Sequence, residues 1–304
     1  MFREVVLGLG GNSMVEGVVK RYGMQMGAAR FVAGDTLPEA IERIREINGH
    51  GVKVTLDHLG ESVRTTDEAV DAKESYLAML DAIHQAGVDA NVSLKLTQMG
   101  LALDHALGQR HLHEIVARAA EYDNFVRIDM EDTPYTDATL ALLEEAYGAY
   151  PGHVGVVLQA YLYRTMEDLK KLSDPPKNFR IVKGAYREPV SVAFPAKSDV
   201  DENYVRLVEE SLRLGNYTCI ATHDEQIIGR VLKYIHDQGI ERDRFEFQML
   251  YGIRFSLLES LAKEGYRTRV YVPYGKDWYA YYVRRIAERP ANMLFFARAL
   301  IDRG

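Results

Sequence analysis

The stretch RTRVYVPYGKDWYAYYVRRIAER, residues 267–289, predicts a strand that leads directly into a helix. Apolar and polar residues alternate up to Pro273, which is the period of a β-strand with one apolar face. Pro273 and Gly275 interrupt this alternation, and Asp277 is a suitable N-cap for a helix that begins at Trp278. The rest of the chain repeats the same order of strand and helix.

Several residues of this predicted helix share one side because they lie three or four positions apart: Tyr281, Arg284, Arg285 and Glu288. Two arginine forks can hold a carboxylate bidentately, which the point charge of a lysine does less well. The same pattern is typical of a solvated, salt-bridged helix face. Taken alone, the stretch favours the solvated face, and the rest of the chain must decide between the two interpretations.

Short segments rich in β-branched and aromatic residues predict eight strands. They are residues 52–59, 91–97, 125–131, 154–161, 179–186, 217–224, 245–252 and 267–275. Amphipathic segments of helical length separate them, at 68–86, 110–122, 137–150, 165–172, 203–214, 225–238 and 255–264. Units of about thirty residues without linkers are typical of a (β/α)8, or TIM-type, barrel. An open doubly wound sheet shows the same alternation, but eight units favour closure.

The segment before this repeat predicts a helical lead-in over residues 1–50, with helices at 15–30 and 38–48. We expect residues 51–304 to form the barrel and the whole chain, 1–304, to be a single catalytic domain. The glycine cluster at 8–11 lacks the spacing and the βαβ context of a dinucleotide-binding loop.

The composition excludes several classes of partner. The chain has 304 residues, 47% of them hydrophobic, and a formal net charge of −7, without a basic run or a nucleic-acid motif. A nucleic-acid partner is therefore not expected. Cys219 is the single cysteine, which excludes an intramolecular disulfide and fits a reducing compartment. No apolar segment is long enough to span a bilayer, so we expect a cytoplasmic protein.

Strand alternation predicts which side chains enter the barrel, because the apolar face of each strand must meet the surrounding helices. The inward residues include Ser93, Lys95, Arg127, Asp129, Glu246, Gln248, Leu250 and Tyr271. Polar residues near the carboxyl ends, where such barrels place their chemistry, are Lys95, Asp129, Gln159, Lys183, His223 and Tyr271. The deeper charges are interpreted as a buried structural network: Arg127, Glu246 and Arg269. Arg180 and Lys183 have opposite parity, so both face the site only if the strand ends or bulges near Gly184.

The cluster at the strand ends is rich in cations: Lys95, Arg180, Lys183, Arg284 and Arg285. Such a site suits an anionic substrate and a phosphate-bearing or electron-accepting cofactor. The histidines are scattered, so no catalytic metal is expected, and no Ser-His-Asp or Cys-His arrangement indicates a hydrolase. Redox chemistry on a bound cofactor and Schiff-base chemistry at Lys95 or Lys183 both remain open.

Six motifs occur in the order VRIDMED, VLQAYLYR, RIVKGAYREP, ATHDE, FEFQMLYGIR and VYVPYGKDWYAYYVRRIAERPAN. In this order the chain resembles the flavin-dependent proline dehydrogenases, specifically the short monofunctional bacterial type, from about residue 31 to the last helix. The resemblance implies a (β/α)8 barrel with N-terminal helices and a C-terminal helix over the active site. It also implies bound FAD and oxidation of L-proline to Δ1-pyrroline-5-carboxylate by hydride transfer to flavin N5, the first step of proline degradation to glutamate.

The resemblance assigns roles to residues around the substrate. It implies that Arg284, Arg285 and Lys95 grip the proline carboxylate, and that Asp129 lies in the active site. Glu288 would orient the arginine pair, and Glu61 would form a gate with the first arginine. The substrate ring would pack against Tyr186, Tyr271, Tyr281 and Leu250.

The same resemblance assigns residues to the flavin. Gln159 and Arg180 would reach the isoalloxazine, with Arg180 near N5 and in a catalytic role beside Asp129. The other implied cofactor-binding residues are Met130, Lys183, Gly184, Ala185, Thr222 and His223. Electrons would pass to membrane quinone, which implies a cytoplasmic protein that is peripheral at the inner face of the cell membrane. A functional link to pyrroline-5-carboxylate dehydrogenase is also implied.

Overall fold

Eight parallel strands close into a barrel in the computed structural model of this protein, in the order β1 to β8. The structure describes residues 30–60 and 63–288, and the side chains of all of these except 286–288. The strands are β1 Lys53–His58, β2 Ala90–Lys95, β3 Val126–Asp129, β4 Val154–Gln159, β5 Asn178–Val182, β6 Tyr217–Ala221, β7 Phe245–Leu250 and β8 Thr268–Tyr274. Each predicted strand overlaps one of these, although β2 and β5 begin one residue earlier than predicted. The predicted (β/α)8 barrel is therefore confirmed and the open sheet is excluded.

Helices alternate with the strands and surround the barrel. They are α1 Leu37–Gly49, α2 Thr66–Ala86, α3 His105–Glu121, α4 Thr133–Ala149, α5 Thr165–Leu172, α6 Lys197–Arg213, α7 Glu225–Asp237, α8 Phe255–Lys263 and α9 Trp278–Glu288. The start of α1 has a capping box between Thr36 and Glu39. Residues 1–29, which include the glycine cluster and most of the first predicted helix, lie outside the described residues.

Some helices begin earlier than predicted. Helix α3 begins at His105 rather than at 110 because the Asp104 carboxylate caps it, accepting the backbone N–H of Ala106 at 2.8 Å. Helix α6 likewise begins at Lys197 rather than at 203.

No helix in the described part of the chain has both the length and the apolar character to cross a membrane.

The main core lies between the outer face of the barrel and the helices. Val92 and Leu94 of β2 are fully buried on that face, as the strand alternation predicts. The opposite parity brings polar side chains into the barrel, where the Arg127 guanidinium donates to the carbonyl oxygens of Val156 at 3.0 Å and Asn178 at 2.7 Å. Arg269 pairs with Glu246 at 2.7 Å. The predicted buried network of structural charges is therefore confirmed.

Helix α9 rests on the segment before α1 as well as on the barrel. Phe31 and Val32 form a separate apolar cluster with Trp278 and Tyr282 of α9. The backbone N–H of Ala33 also donates to the carbonyl oxygen of Pro273 at 2.9 Å, at the end of β8. These contacts fix the position of α9 at the carboxyl end of the barrel.

Gly155 of β4 provides a test of packing inside the barrel. A methyl group there would lie 2.2 Å from the carbonyl oxygen of Asn178 and 2.8 Å from Nη1 of Arg127. We expect Gly155→Ala to lower the free energy of unfolding by about 1–3 kcal/mol, the usual cost of overpacking, measured by urea denaturation.

The matched control is Gly148→Ala in α4, where the added methyl group meets nothing within 4 Å. Alanine is favoured over glycine in a helix, so this variant should be as stable as the parent or more stable. Equal stability of the two variants would contradict the packing described for the barrel interior.

Candidate active site at the barrel mouth

A cavity of about 1200 Å³ opens at the carboxyl ends of the strands. All eight strands contribute to its lining, from Asp57 on β1 to Tyr271 on β8, and α9 contributes Tyr281, Arg284 and Arg285. This is the end at which (β/α)8 enzymes place their chemistry. The cavity exceeds the roughly 300–1,000 Å³ typical of sites for drug-sized ligands, so it has room for more than an amino acid.

The cavity brings together the predicted site residues whose side chains the structure describes. Those predicted around the substrate are Lys95, Asp129, Tyr186, Leu250, Tyr271, Tyr281, Arg284 and Arg285. Those predicted for the cofactor are Met130, Gln159, Arg180, Lys183, Gly184, Ala185, Thr222 and His223. Glu61 lies outside the described residues, and Glu288 belongs to α9 but its side chain is not described.

Arg180 is a buried cation of the site, and each of its nitrogens has a partner. Its Nε donates to Gln248 Oε1 at 2.6 Å, and its Nη1 donates to Asp129 Oδ1 at 2.9 Å. Its Nη2 donates to the Thr55 hydroxyl at 3.4 Å, and only 5% of the residue is exposed. The guanidinium is therefore held in one orientation at the floor of the cavity.

Asp129 collects donors from three other strands. Besides Arg180, it accepts from the Ser93 hydroxyl at 2.7 Å and from the Tyr271 hydroxyl at 3.0 Å. The Lys95 ammonium lies 4.0 Å from Asp129 Oδ2. Burial, together with the negative charge of Asp129, raises the pKa of Tyr271 well above its ordinary value, so Tyr271 is a neutral donor at physiological pH.

Lys183 lies just beyond β5, which ends at Val182. The end of the strand accounts for the opposite parities, because Arg180 points into the barrel while Lys183 extends over its mouth. The Lys183 ammonium lies 2.5 Å from Asp201 and 2.9 Å from Asp224. Burial alone would raise the pKa of Asp224, but the hydrogen bond and charge of Lys183 outweigh burial and lower it.

Gly184 follows with a φ of +117°. A methyl group at this position would lie 2.3 Å from the Tyr161 ring, so only glycine fits this turn. Lys183, Gly184 and Ala185 line the same rim of the cavity. Such a combination suits the phosphate groups of a large cofactor.

Several residues that complete the site have no sequence motif that marks their role. The alternation of β7 and β2 predicted that Gln248 and Ser93 face inward, but not that they hold Arg180 and Asp129. Asp57 follows the same inward pattern on β1 and lines the cavity floor. Asp201 comes from α6, where no strand-end signal exists to identify it.

Among the described residues, no group of three or more His, Cys, Asp or Glu side chains could hold a metal ion.

Comparison with known proteins gives a consistent result. Residues 40–298 match the model of the family described as proline dehydrogenase. The chain is 44% identical over 303 residues to proline dehydrogenase 1 of Bacillus subtilis subsp. natto, covering 100% of both chains. It is 43% identical over 305 residues to proline dehydrogenase of Deinococcus radiodurans, covering 99% of this chain and 98% of that one.

The fold is also similar to a solved structure, proline utilization A from Bdellovibrio bacteriovorus inactivated by N-propargylglycine, with a TM-score of 0.83 and 25% identity. That match covers 90% of this chain but 34% of the other, so this chain spans about a third of that protein.

The buried pair Glu246–Arg269 beneath Arg180 predicts a pH-dependent stability. Burial alone would raise the pKa of Glu246, but the adjacent Arg269 guanidinium outweighs burial and lowers it to about 2. A carboxyl group with a lowered pKa in the folded state contributes stability above its unfolded pKa, and this contribution is lost as pH falls toward 2. We expect Glu246→Gln to have a lower free energy of unfolding at pH 7 and a shallower loss of it between about pH 4.5 and 2.

Urea denaturation of both proteins across this pH range measures the difference. Glu42→Gln, which removes a carboxylate from an exposed ion pair with Arg45 on α1, is the control and should change stability by at most about 1 kcal/mol. Parallel pH profiles for Glu246→Gln and the parent would contradict a charged pair inside the barrel.

Proposed function

Because the chain belongs to the proline dehydrogenase family, we propose that its cavity binds L-proline beside FAD and oxidises it to Δ1-pyrroline-5-carboxylate. As a member of this family the chain is an oxidoreductase of proline catabolism. One observation carries the finer proposal: the same cavity is lined by Arg284, Arg285 and Lys95 and by the buried Arg180. Each nitrogen of the Arg180 guanidinium donates a hydrogen bond.

The carboxylate of proline is proposed to bind between Arg284 and Arg285 of α9 and Lys95 of β2. All three side chains line the cavity, and α9 is anchored through its aromatic cluster with Phe31 and Val32. Guanidinium forks bind a carboxylate with bidentate, charge-assisted hydrogen bonds, so they fix its direction as well as its position. Glu288 is proposed to orient the arginines, and Glu61 to form a gate with Arg284.

The ring of proline is proposed to pack among Tyr186, Tyr271, Tyr281 and Leu250, which supply an apolar wall in an otherwise cationic cavity. The Tyr271 hydroxyl is tied to Asp129, which restrains the aromatic ring beside it. Fixing both ends of a small substrate in this way removes much of the entropic barrier to reaction.

The residues of the opposite side of the cavity fit FAD. Lys183, with the turn at Gly184, would hold the phosphate portion, and Thr222 and His223 would contact it further along. Gln159 is fixed by donation to the carbonyl oxygen of Glu131 at 2.9 Å, and with Met130 and Arg180 it would contact the ring system. When bound, the flavin supplies the two-electron acceptor at N5. Arg180 would stabilise the negative charge that develops there, because its orientation is already set before reaction.

The nitrogen of proline must be neutral to release a hydride from the adjacent carbon. The rate is therefore proposed to rise with pH as the bound amine loses its proton. Lys183 is engaged with two carboxylates, so its amine is not open to attack a carbonyl, which disfavours the Schiff-base alternative at this residue.

Membrane quinone is proposed as the final electron acceptor, at the inner face of the cell membrane, and a separate pyrroline-5-carboxylate dehydrogenase as the consumer of the product. Both proposals rest on the family resemblance. We also propose that residues 1–304 act as one catalytic domain, because the cavity draws on every strand and α9 depends on the segment before α1.

An anaerobic absorbance spectrum tests the function directly. The purified protein should show an oxidised flavin spectrum that bleaches on addition of L-proline. A bound flavin that stays oxidised after this addition would contradict L-proline as the substrate. Absence of flavin after reconstitution with FAD would contradict the proposed cofactor.

Arg284→Ala and Arg285→Ala should each raise the proline concentration needed for half-maximal flavin reduction by about ten- to a hundredfold, the value of a lost charge-assisted interaction. The flavin should remain bound, since neither residue is assigned to it. Steady-state kinetics and the absorbance of the purified variants measure the two effects. Arg230→Ala, which removes a cation paired with Glu202 on the outer helices, is the control and should leave both unchanged.

Arg180→Ala should lower the rate constant of flavin reduction by about a hundredfold or more while changing proline affinity much less, because its charge acts on the transition state. Anaerobic stopped-flow measurements separate the rate constant from the affinity. The reverse pattern, a large loss of affinity at an unchanged rate, would contradict a role beside N5.

A further inference from the structure

The motif RIVKGAYREP, residues 180–189, extends beyond the residues to which the proposed function gives a role. Its last part belongs to the β5–α6 loop, residues 183–196, which runs from the end of β5 at Val182 to the start of α6 at Lys197. Residues 183–187 of this loop all line the cavity. The contacts that hold the loop in place therefore determine the shape of one side of the cavity mouth.

The far end of the loop is attached to the segment that follows β4. The backbone N–H of Phe194 donates to the carbonyl oxygen of Tyr161 at 2.8 Å. The N–H of Tyr163 donates to the carbonyl oxygen of Val192 at 3.1 Å, and its hydroxyl donates to the carbonyl oxygen of Val190 at 3.0 Å. Residues 190–194 are thereby fixed to the wall of the barrel.

The near end of the loop has attachments of its own. The Lys183 ammonium pairs with Asp201 and Asp224, and the Lys183 carbonyl oxygen accepts the N–H of Tyr161 at 2.8 Å. These contacts do not involve the middle of the loop. The part of the loop that is assigned to FAD is therefore held whether or not the middle is attached.

Glu188 attaches the middle of the loop to a helix from another part of the barrel. Its Oε1 accepts the backbone N–H of Thr133, the first residue of α4, at 2.7 Å. Among the described residues, the side chain of Asp132, the N-cap of α4, accepts no capping hydrogen bond, and the first turn of α4 contains no acidic residue. The first N–H groups of a helix need acceptors and favour a negative charge. Glu188 supplies both from 55 positions further along the chain.

Tyr186 and Arg187 lie between the attachments at Lys183 and Glu188, and both line the cavity. A short segment that is fixed at both ends has few conformations, whereas one that is released at one end gains conformational entropy and can leave the cavity. The attachment acts on the backbone of the loop. It therefore carries Tyr186 together with whatever its side chain contacts.

We propose that Glu188 is a positioning residue, which holds the β5–α6 loop against the start of α4 so that Tyr186 lines the cavity before proline binds. Proline then does not have to order the loop, and its affinity is higher for that reason. The effect on proline rests on the proposed function, in which the substrate ring packs against Tyr186. The attachment of the loop to α4 does not depend on that function.

Limited proteolysis measures the attachment without using activity. Arg187 is exposed, and trypsin cleaves the bond between it and Glu188 when the loop is released. Thr133→Pro removes the N–H that Glu188 accepts, and proline is well tolerated at the first position of a helix. In the FAD-loaded enzyme we expect this variant to be cleaved after Arg187 about fivefold faster or more, because cleavage follows the population of the released loop. Mass spectrometry measures the rate, with cleavage after the exposed Lys263 of α8 as the internal reference.

The matched control is Thr133→Ala, which keeps the backbone N–H and removes only the side-chain hydroxyl and methyl group. Its cleavage after Arg187 should proceed at the rate of the parent. Both variants leave the sequence on either side of the cleaved bond unchanged, so a difference between them reports the hydrogen bond to Glu188.

Anaerobic stopped-flow reduction by L-proline measures the consequence for the substrate. Glu188→Ala and Thr133→Pro should each raise the dissociation constant of proline by about three- to tenfold, because fewer molecules have the loop in place. The rate constant at saturating proline should stay within about twofold of the parent, and the flavin content should not change, since Arg180 and Lys183 are held by other contacts. A general loss of structure would lower both.

Two further variants test whether Glu188 and Thr133 act through the same hydrogen bond. Glu188→Gln keeps an acceptor oxygen, so its proline affinity should lie closer to that of the parent than to that of Glu188→Ala. The double variant Glu188→Ala/Thr133→Pro should bind proline as well as either single variant, because the second change has no bond left to remove. Since the single variants alter opposite partners, each remains informative if the other does not fold.

The proposal is overturned if Thr133→Pro is cleaved after Arg187 no faster than Thr133→Ala. It is also overturned if Glu188→Ala binds proline as tightly as the parent, or if the losses in the double variant add. A parent enzyme whose flavin is not reduced by proline would instead overturn the proposed function, and the cleavage rates would still decide whether Glu188 holds the loop.

Discussion

Positive charge enclosed within a ring of strands is the constraint on which the rest of the site depends. Arg127, Arg180 and Arg269 all point into the barrel, where they are largely withdrawn from water. Each must be satisfied by protein groups, because an unpaired buried charge is strongly destabilising. Glu246 neutralises Arg269, and Asp129 neutralises Arg180. Gln248 joins the two pairs by donating to Glu246 while it accepts from Arg180.

That chain of contacts makes the floor of the cavity rigid before any ligand arrives. Preorganised charge is effective in catalysis because it needs no reorganisation when the reacting atoms change their own charge. The rim is built differently: Lys183 rests between two carboxylates, Asp201 of α6 and Asp224 at the N-cap of α7. The site thus combines a floor held by side chains of several strands with a rim held by two helices.

Local sequence patterns were sufficient for the barrel and for much of the cavity lining. Alternation along β2, β3, β7 and β8 identified the inward side chains, because residues on a strand point alternately to its two faces. The same patterns could not show that the Tyr271 hydroxyl donates to Asp129, since those residues come from separate strands. Nor could they identify Asp201, which approaches Lys183 from a helix, or the cluster of Phe31 with α9, which joins the segment before α1 to the last described helix.

The closure of β1 on β8 has a consequence for the synthesis of the protein. Arg269 donates to the carbonyl oxygen of Val54 at 2.8 Å, across 215 positions of sequence. At ordinary elongation rates this separation corresponds to roughly 10–40 s during which β1 has left the ribosome and β8 has not. An unpaired strand edge is a template for aggregation. Until β8 is synthesised, one edge of β1 therefore lacks the partner that protects it in the closed barrel.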